Sequence, residues 1–299
     1  MQTLQVVFQS ILDMGAAVFL PIIIFIIGLI VGLKPGKAIS AGLTLGVALT
    51  GIALRRCAEQ GIEIVLASGR PMALIEPVAK ELGYVKYAIS ANGSAVWDRH
   101  SHERIVSREI SPDIAEKILS VVLKYPIALE VYCEGRAWVD HNWTVERFEK
   151  MPQQFLQMRN EYNRHCNDLY KEVSGKTVEK FNVDGMPRVM FDEIMEQLQP
   201  IRDELAIQYI ECYGNMEINN RLATKGEALK GLCTLLGIES FEVMAFGDSE
   251  NDVSMLKYAG ESYAMENGEQ AALESAKHIA KKNTEDGIAE VIEKYLLQS

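Results

Sequence analysis

EVMAFGDSENDVSML, residues 242–256, decides the fold. The run Val243–Phe246 is continuously apolar, as a strand covered on both faces should be. Gly247 ends it, Asp248 follows at once, and the apolar periodicity that resumes at Val253 reads as a helix. A strand therefore runs into an acidic turn that opens a helix. In an open α/β sheet, ligands bind beyond the carboxyl ends of the strands. Carboxylates placed there can hold a divalent cation. The plainer reading is that Asp252 offsets the positive end of its helix.

Working outward, the same alternation recurs on both sides. ALRRCAEQ reads as a helix stopped by Gly61 in a left-handed cap. IEIVLA (62–67) is again an apolar strand, SGRP a turn, and a helix runs from near Pro71 to near Gly83 with Pro77 expected to kink it. YAIS leads into the turn ANGS. Downstream, ESYAM and HIA read as strands and TEDGIAEVIEKYLL as a closing amphipathic helix. Residues 95–214 differ: charged helices such as SPDIAEKILSVVLK alternate with ALEVYC, VEKFNV and LAIQYIEC. They read as an inserted α+β unit. The expected organisation is 1–52 an apolar segment, 53–94 the first part of an α/β core, 95–214 a cap, and 215–299 the rest of the core.

Three short stretches fall at strand ends or helix starts. Ser68, Gly69 and Arg70 offer a hydroxyl, free backbone N–H groups and a cation to a phosphate oxygen, although the same residues make an ordinary strand-end turn. Thr224 and Glu227 form a capping-box pattern that puts Lys225 in the first helical turn. The helix dipole disfavours a lysine there, so Lys225 predicts an anionic partner unless it is merely solvated. Asp248, Asn251 and Asp252 complete the set.

Taken in order, LASGRP, ANGS, TKGEAL, AFGDSENDVSML, AMEN and TEDGIAEVI resemble the Cof-type (class IIB) branch of the haloacid dehalogenase superfamily, which are sugar-phosphate phosphatases. The resemblance covers about residues 53 to 299. It implies a HAD-like Rossmannoid core with an inserted α/β cap. It further implies that Ser68, Gly69 and Arg70 hold the phosphoryl group and Lys225 neutralises its charge. Asp248 would bind Mg²⁺, Asn251 would touch phosphate or substrate, and Asp252 would support the metal site and orient Lys225. A small phosphorylated substrate of the sugar-phosphate class is the implied partner.

The family's first motif, DxDGT, carries the attacking aspartate on the central strand, ahead of Ser68. No DxD occurs there, and between Asp13 and Glu59 there is no carboxylate at all. FNVDGM (181–186) mimics the motif with Asn182 in the nucleophile's place, but VEKFNV reads as a cap strand. Without the aspartate no aspartyl-phosphate can form. The expectation is a phosphatase-like protein that is inactive as written. Two alternatives stand beside it: a membrane-tethered, noncatalytic phosphosugar-binding or regulatory module, and a chimeric or decayed fusion.

The fusion is suggested by the N-terminus. ILDMGAAVFLPIIIFIIGLIVGLKPGKAISAGLTLGVALTGI resembles the start of the membrane (IIC) component of galactitol-type phosphotransferase-system transporters, over about residues 1 to 52. The 20 residues 14–33 carry no charge, enough for a helix across roughly 30 Å of hydrocarbon. Lys34, Lys37, Arg55 and Arg56 follow, which would leave the C-terminal bulk in the cytoplasm. A helix over 14–33 projecting from the body is therefore expected. The competing possibility is that QTLQVVF or VFLPIIIFII replaces the missing central strand. The net charge of −11 argues against nonspecific nucleic-acid binding. Five scattered cysteines without a CxxC pair indicate neither a disulfide framework nor a zinc site.

Overall fold

The computed structural model describes residues 23–27, 41–143, 159–211 and 214–295, with 23–27 and 41–48 through the backbone. Two sheets organise them. The larger has eight strands in the order β14-β13-β12-β1-β2-β3-β4-β5. Its elements in chain order are β1 (Ile23–Ile27), helix α1 (Ala41–Glu59), β2 (Glu63–Ala67), α2 (Met72–Leu82), β3 (Tyr87–Ser90), β4 (Ala95–Asp98) and β5 (Glu103–Ser107). The chain returns to this sheet, after the insertion, through α6 (Lys225–Leu236), β12 (Val243–Gly247), α7 (Val253–Tyr258), β13 (Glu261–Met265), α8 (Gln270–Ser275), β14 (His278–Ala280) and α9 (Gly287–Tyr295).

The strands from β14 to β3 run parallel, and β4 and β5 turn back antiparallel. Both faces are covered, which is why IVLA and VMAF are apolar without alternation. Ala53, Leu54 and Cys57 of α1 pack with Ile288 and Ile292 of α9 on one face. Leu229, Leu232 and Met255 pack on the other. Gly61 (φ 84) and Gly83 (φ 78) close their helices in the left-handed region, the first as the sequence predicts and the second at the expected helix end. Pro77 is accommodated inside α2.

The centre of this sheet overturns the membrane-helix expectation for the residues it covers. Ile23–Ile27 is a strand, paired in parallel with Glu63–Ala67 on one side and with Val243–Ala245 on the other. A strand with ladder partners on both sides is not part of a spanning helix. The driving force is the gap itself: β2 and β12 each present an unsatisfied row of N–H and C=O groups that only another strand can pair. Among the described residues no helix is long and apolar enough to cross a membrane. The rest of the expected 14–33 segment lies outside the described residues.

The smaller, six-stranded sheet has the order β10-β11-β9-β6-β7-β8. It comprises β6 (Ala128–Cys133), β7 (Arg136–Val139), β8 (Arg164–His165), β9 (Lys180–Asp184), β10 (Leu205–Ile210) and β11 (Asn215–Asn220). Helices α3 (Pro112–Val122), α4 (Leu169–Val173) and α5 (Arg188–Leu198) contribute to its apolar side. Two segments fall across the expected boundaries. β4 and β5 (95–107) extend the larger sheet, and β11, read as core from the sequence, belongs to the smaller one. β11 sits there because it pairs antiparallel with both β10 and β9.

Alternation on the smaller sheet is strict. Leu129, Val131, Phe181, Val183, Met216 and Ile218 point into its own core. Glu130, Tyr132, Lys180, Asn182, Asp184, Asn215, Glu217 and Asn219 take the opposite positions, as a period of two demands. That second face is polar, and several of its residues contact the larger sheet's loops.

Candidate active site

β1 separates β2 from β12, and the loops after these two strands converge beside its carboxyl end. β2 delivers Ser68, Gly69 and Arg70; β12 delivers Asp248. Ser68 N–H donates to the carbonyl of Ile89 at 2.9 Å, which ties the turn to β3. Its Oγ accepts from the N–H of Arg70 at 3.3 Å. Gly69 has no room for a side chain: a Cβ there would lie 2.5 Å from Asn92 Oδ1. Burial pulls the Arg70 guanidinium below its ordinary value, with the fields of Tyr132 and Arg159 also reaching it from across the interface.

Lys225 is the first residue of α6, and the Thr224 side chain accepts from the N–H of Glu227 at 3.2 Å. Only this half of the expected capping box is made. The N–H of Thr224 goes to the Leu222 carbonyl, and the Glu227 carboxylate lies 3.6 Å from Arg108. The anion predicted for Lys225 is internal: its ammonium donates to Asp252 Oδ1 at 2.5 Å and to Asn251 Oδ1 at 3.0 Å. Lys225 is 1% exposed and Asp252 0%. An ammonium has three donors, so this pair leaves one for a ligand. The other Asp252 oxygen accepts from the N–H groups of Asp248 and Ser249 at 2.9 and 3.0 Å.

These bonds decide how the two aspartates divide the work. Both oxygens of Asp252 are engaged, one by Lys225 and the other by the loop backbone, which leaves Asp248 the freer carboxylate. Asp248 accepts only a long bond of 3.3 Å from Ser249 Oγ. Burial, then the charge of Asp252, pushes its carboxyl up, against the pull of Lys225. Among the described residues no three His, Cys, Asp or Glu side chains gather where a metal ion could be held. The described residues thus bring one freer carboxylate, Asp248, to this place and do not by themselves make a complete Mg²⁺ site. The sequence reading gives Asp252 two roles, supporting the metal site and orienting Lys225, and the structure places its carboxylate on the Lys225 ammonium.

The sequence reading missed the residue that joins these loops. Asn92, in the left-handed region at φ 62, accepts from Asn251 Nδ2 at 3.0 Å through its Oδ1. Its Nδ2 donates to Glu217 Oε2 at 2.7 Å and to Asn219 Oδ1 at 3.2 Å. Lys180 closes the chain with a 2.8 Å bond to Glu217 Oε1. The signal was the turn ANGS itself, since Asn-Gly tolerates positive φ. Its neighbour Gly93 (φ 106) runs so close to α6 that a Cβ would meet the Thr224 carbonyl at 2.2 Å.

Asn182 and Asp184, the residues of the decoy FNVDGM, lie on β9 of the smaller sheet. They are bound into a buried network with Glu130, Arg159 and Asn215. On the far side of the Asn92–Asn251 bridge a cavity of about 840 Å³ opens between the two sheets' elements. Gln208, Glu217, Asn219, Glu250 and Lys257 are among its lining residues.

Comparison with known proteins gives this arrangement a context. The sequence profile described as haloacid dehalogenase-like hydrolase matches residues 49–292. The profile of the PTS system sugar-specific permease component matches residues 10–59. The chain is 27% identical over 245 residues to the Bacillus subtilis 5-amino-6-(5-phospho-D-ribitylamino)uracil phosphatase YcsE, covering 82% of this chain and 86% of that one. It is 28% identical over 269 residues to the B. subtilis phosphatase YwpJ, covering 82% and 91%. A crystal structure of a haloacid dehalogenase-like hydrolase from Bacteroides thetaiotaomicron superposes with a TM-score of 0.75 at 24% identity, covering 92% of this chain and 99% of that one.

Proposed function

The chain belongs to the haloacid dehalogenase-like hydrolases, and from that premise we propose that it is a Cof-type phosphatase-like protein that binds a sugar- or polyol-phosphate without hydrolysing it. The observation that carries the proposal is the identity of the central strand. Where the family resemblance places the attacking aspartate, this chain has Ile23–Ile27 between β2 and β12, in a stretch with no Asp or Glu from residue 14 to residue 58. The groups that hold a phosphate are retained: the Ser68–Arg70 turn, one ammonium donor of Lys225, and the Asn251 amide. What is lost is the nucleophile, and none of the retained groups can replace a carboxylate that forms an acyl phosphate.

The family's usual Mg²⁺ would supply charge neutralisation of the phosphoryl oxygens. Among the described residues, Asp248 is the carboxylate placed to contribute to such a site. The large cavity beside Asn92 and Asn251 has the volume of a small-ligand pocket, is lined in part by Gln208, Glu217, Asn219 and Glu250, and would take the polyol portion. The phosphorylated ribitylamino compound in the name of YcsE belongs to this ligand class.

The test is twofold. Purified protein with Mg²⁺ and p-nitrophenyl phosphate is expected to show no turnover above background. Calorimetry with ribose 5-phosphate is expected to show binding that Lys225→Ala weakens tenfold or more, removing a charge-assisted hydrogen bond. Turnover that disappears in Asp248→Ala would overturn the noncatalytic reading. A second reading, a fused or decayed junction, has its own observation: the two profile matches meet at residues 49–59, inside α1. Sequencing across those codons from independent isolates tests it; a shared uninterrupted reading frame argues for a maintained gene product.

A further inference from the structure

A turn of the smaller sheet presses on the helix after Ser68–Arg70 and is braced from behind by a buried carboxylate. The turn is Glu134–Gly135, between β6 and β7, with both residues at positive φ. Its Gly135 carbonyl accepts from the N–H of Ala73, in the first turn of α2, at 2.8 Å. A Cβ at Gly135 would stand 3.0 Å from the Trp97 ring and 3.3 Å from Met72 Cβ, so the turn is seated with no slack. From behind, Gly135 N–H donates to Glu179 Oε1 at 2.7 Å.

Glu179 sits where the two sheets' elements cross. Its carbonyl accepts from Ser94 Oγ of the larger sheet's loop and from Asn219 Nδ2 of β11. Its neighbour Val178 bridges to Ile110 on the strand-like entry to the smaller sheet. The side chain is 0% exposed, and its second oxygen, Oε2, is buried with no hydrogen-bond partner among the described residues.

We propose that Glu179 is a positioning residue that seats the Glu134–Gly135 turn on α2 in a proton-dependent way, tightest when its carboxyl is neutral. The charged groups around it explain why. Glu109 is paired with Arg104, and Glu134 is paired with Lys176 at 3.3 Å. The Cys133 thiol, pushed up to about 12, stays neutral. The nearby cations are thus claimed by other carboxylates, and no ion pair reaches Glu179 among the described residues. Burial, opposed by the Gly135 hydrogen bond, pushes its carboxyl up to about 7. Ionised, it would carry a charge on an oxygen with nothing to receive it. With the turn lifted, water would reach it and restore an ordinary carboxylate value.

The sign follows from linkage. Seating favours the protonated form, so it is strongest below about 4.5, weakens by about tenfold per pH unit up to about 7, and is flat above. This inference needs only the contact between the two sheets and stands whether or not the chain hydrolyses phosphate. The experiment is amide hydrogen exchange on the full chain from pH 5 to 8, corrected for intrinsic rates and read at Ala73 and Gly135. Protection should fall by about tenfold per unit toward pH 7. Glu179→Gln should remove the slope, whereas Glu134→Gln should keep it. A pH-independent wild-type profile, or the same slope in Glu179→Gln, overturns the proposal. Should Glu179→Gln not fold, a carbon NMR titration of the wild-type Glu179 carboxyl decides: a midpoint near 7 supports the proposal and one below 5 overturns it.

Discussion

Lys225 carries a positive charge into the first turn of a helix and is buried there, two circumstances that each oppose it. Asp252 resolves both, since its carboxylate meets the ammonium at 2.5 Å and takes two loop N–H groups on its other oxygen. Such a pair is costly to break from one side, because the survivor is left charged and unpartnered. Asp252→Asn is therefore expected to lower stability by about 3–5 kcal/mol, read from urea unfolding midpoints. The double variant Asp252→Asn with Lys225→Met should recover much of that loss, because it removes the stranded charge as well. If the double variant is no more stable than Asp252→Asn alone, the pair is not what the loop depends on. The residues around Lys225 indicated an anion without naming it, and the pairing with Asp252 was implied only by the family resemblance, because residues 225 and 252 meet only through the packing of α6 against the loop after β12. Gly226 records how close that packing is: a Cβ there would sit 2.4 Å from the Ser254 carbonyl.

Elements were legible where their signal was local. The continuous runs IVLA and VMAF, the left-handed glycines at 61 and 83, and the N-cap at Thr224 each follow from a few neighbouring residues. β1 was legible only as the competing possibility within VFLPIIIFII, because IIFII satisfies the requirements of a membrane helix and of a buried parallel strand equally well. The choice between them rests on an absent strand elsewhere in the chain, which no window around residues 23–27 contains. β11 was misplaced for a similar reason: MEINN alternates as a half-buried strand, and which sheet it joins is set by β9 and β10. The strand reading makes a sharp demand at Phe25, whose register partners are Val65 on one side and Ala245 on the other. A proline there removes a ladder donor and is tolerated only at sheet edges. Phe25→Pro should abolish cooperative unfolding of the larger sheet, whereas a helix outside the fold would absorb it with little change in the midpoint. Circular dichroism against denaturant separates these outcomes.

For the whole molecule, the question is whether the N-terminal segment is an appendage or the keystone of the larger sheet. Deleting residues 1–40 answers it, since the deletion removes β1 and keeps α1. If the segment is an appendage, the remaining chain keeps its unfolding midpoint and stays monodisperse, while the full chain partitions into liposomes. If β1 holds the centre, the deletion leaves β2 and β12 facing each other across an empty strand width. Leaving even about 300 Å² of apolar surface uncovered would forfeit roughly 7 kcal/mol, comparable with the whole stability of about 5–15 kcal/mol of an ordinary domain. The two unpaired edges would also offer templates for aggregation. The smaller sheet has its own apolar core, built on Ile118, Val131, Phe181 and Ile218, and touches β1 nowhere in its ladder. The expected result for residues 41–299 is therefore asymmetric. Tryptophan fluorescence from Trp138 and Trp143 should still report a folded smaller sheet, in variants where Trp97 is replaced by Phe. The larger sheet should unfold at much lower denaturant or drive association on size-exclusion chromatography. A truncated chain as stable as the full one would remove β1 from the fold and return residues 14–33 to the membrane.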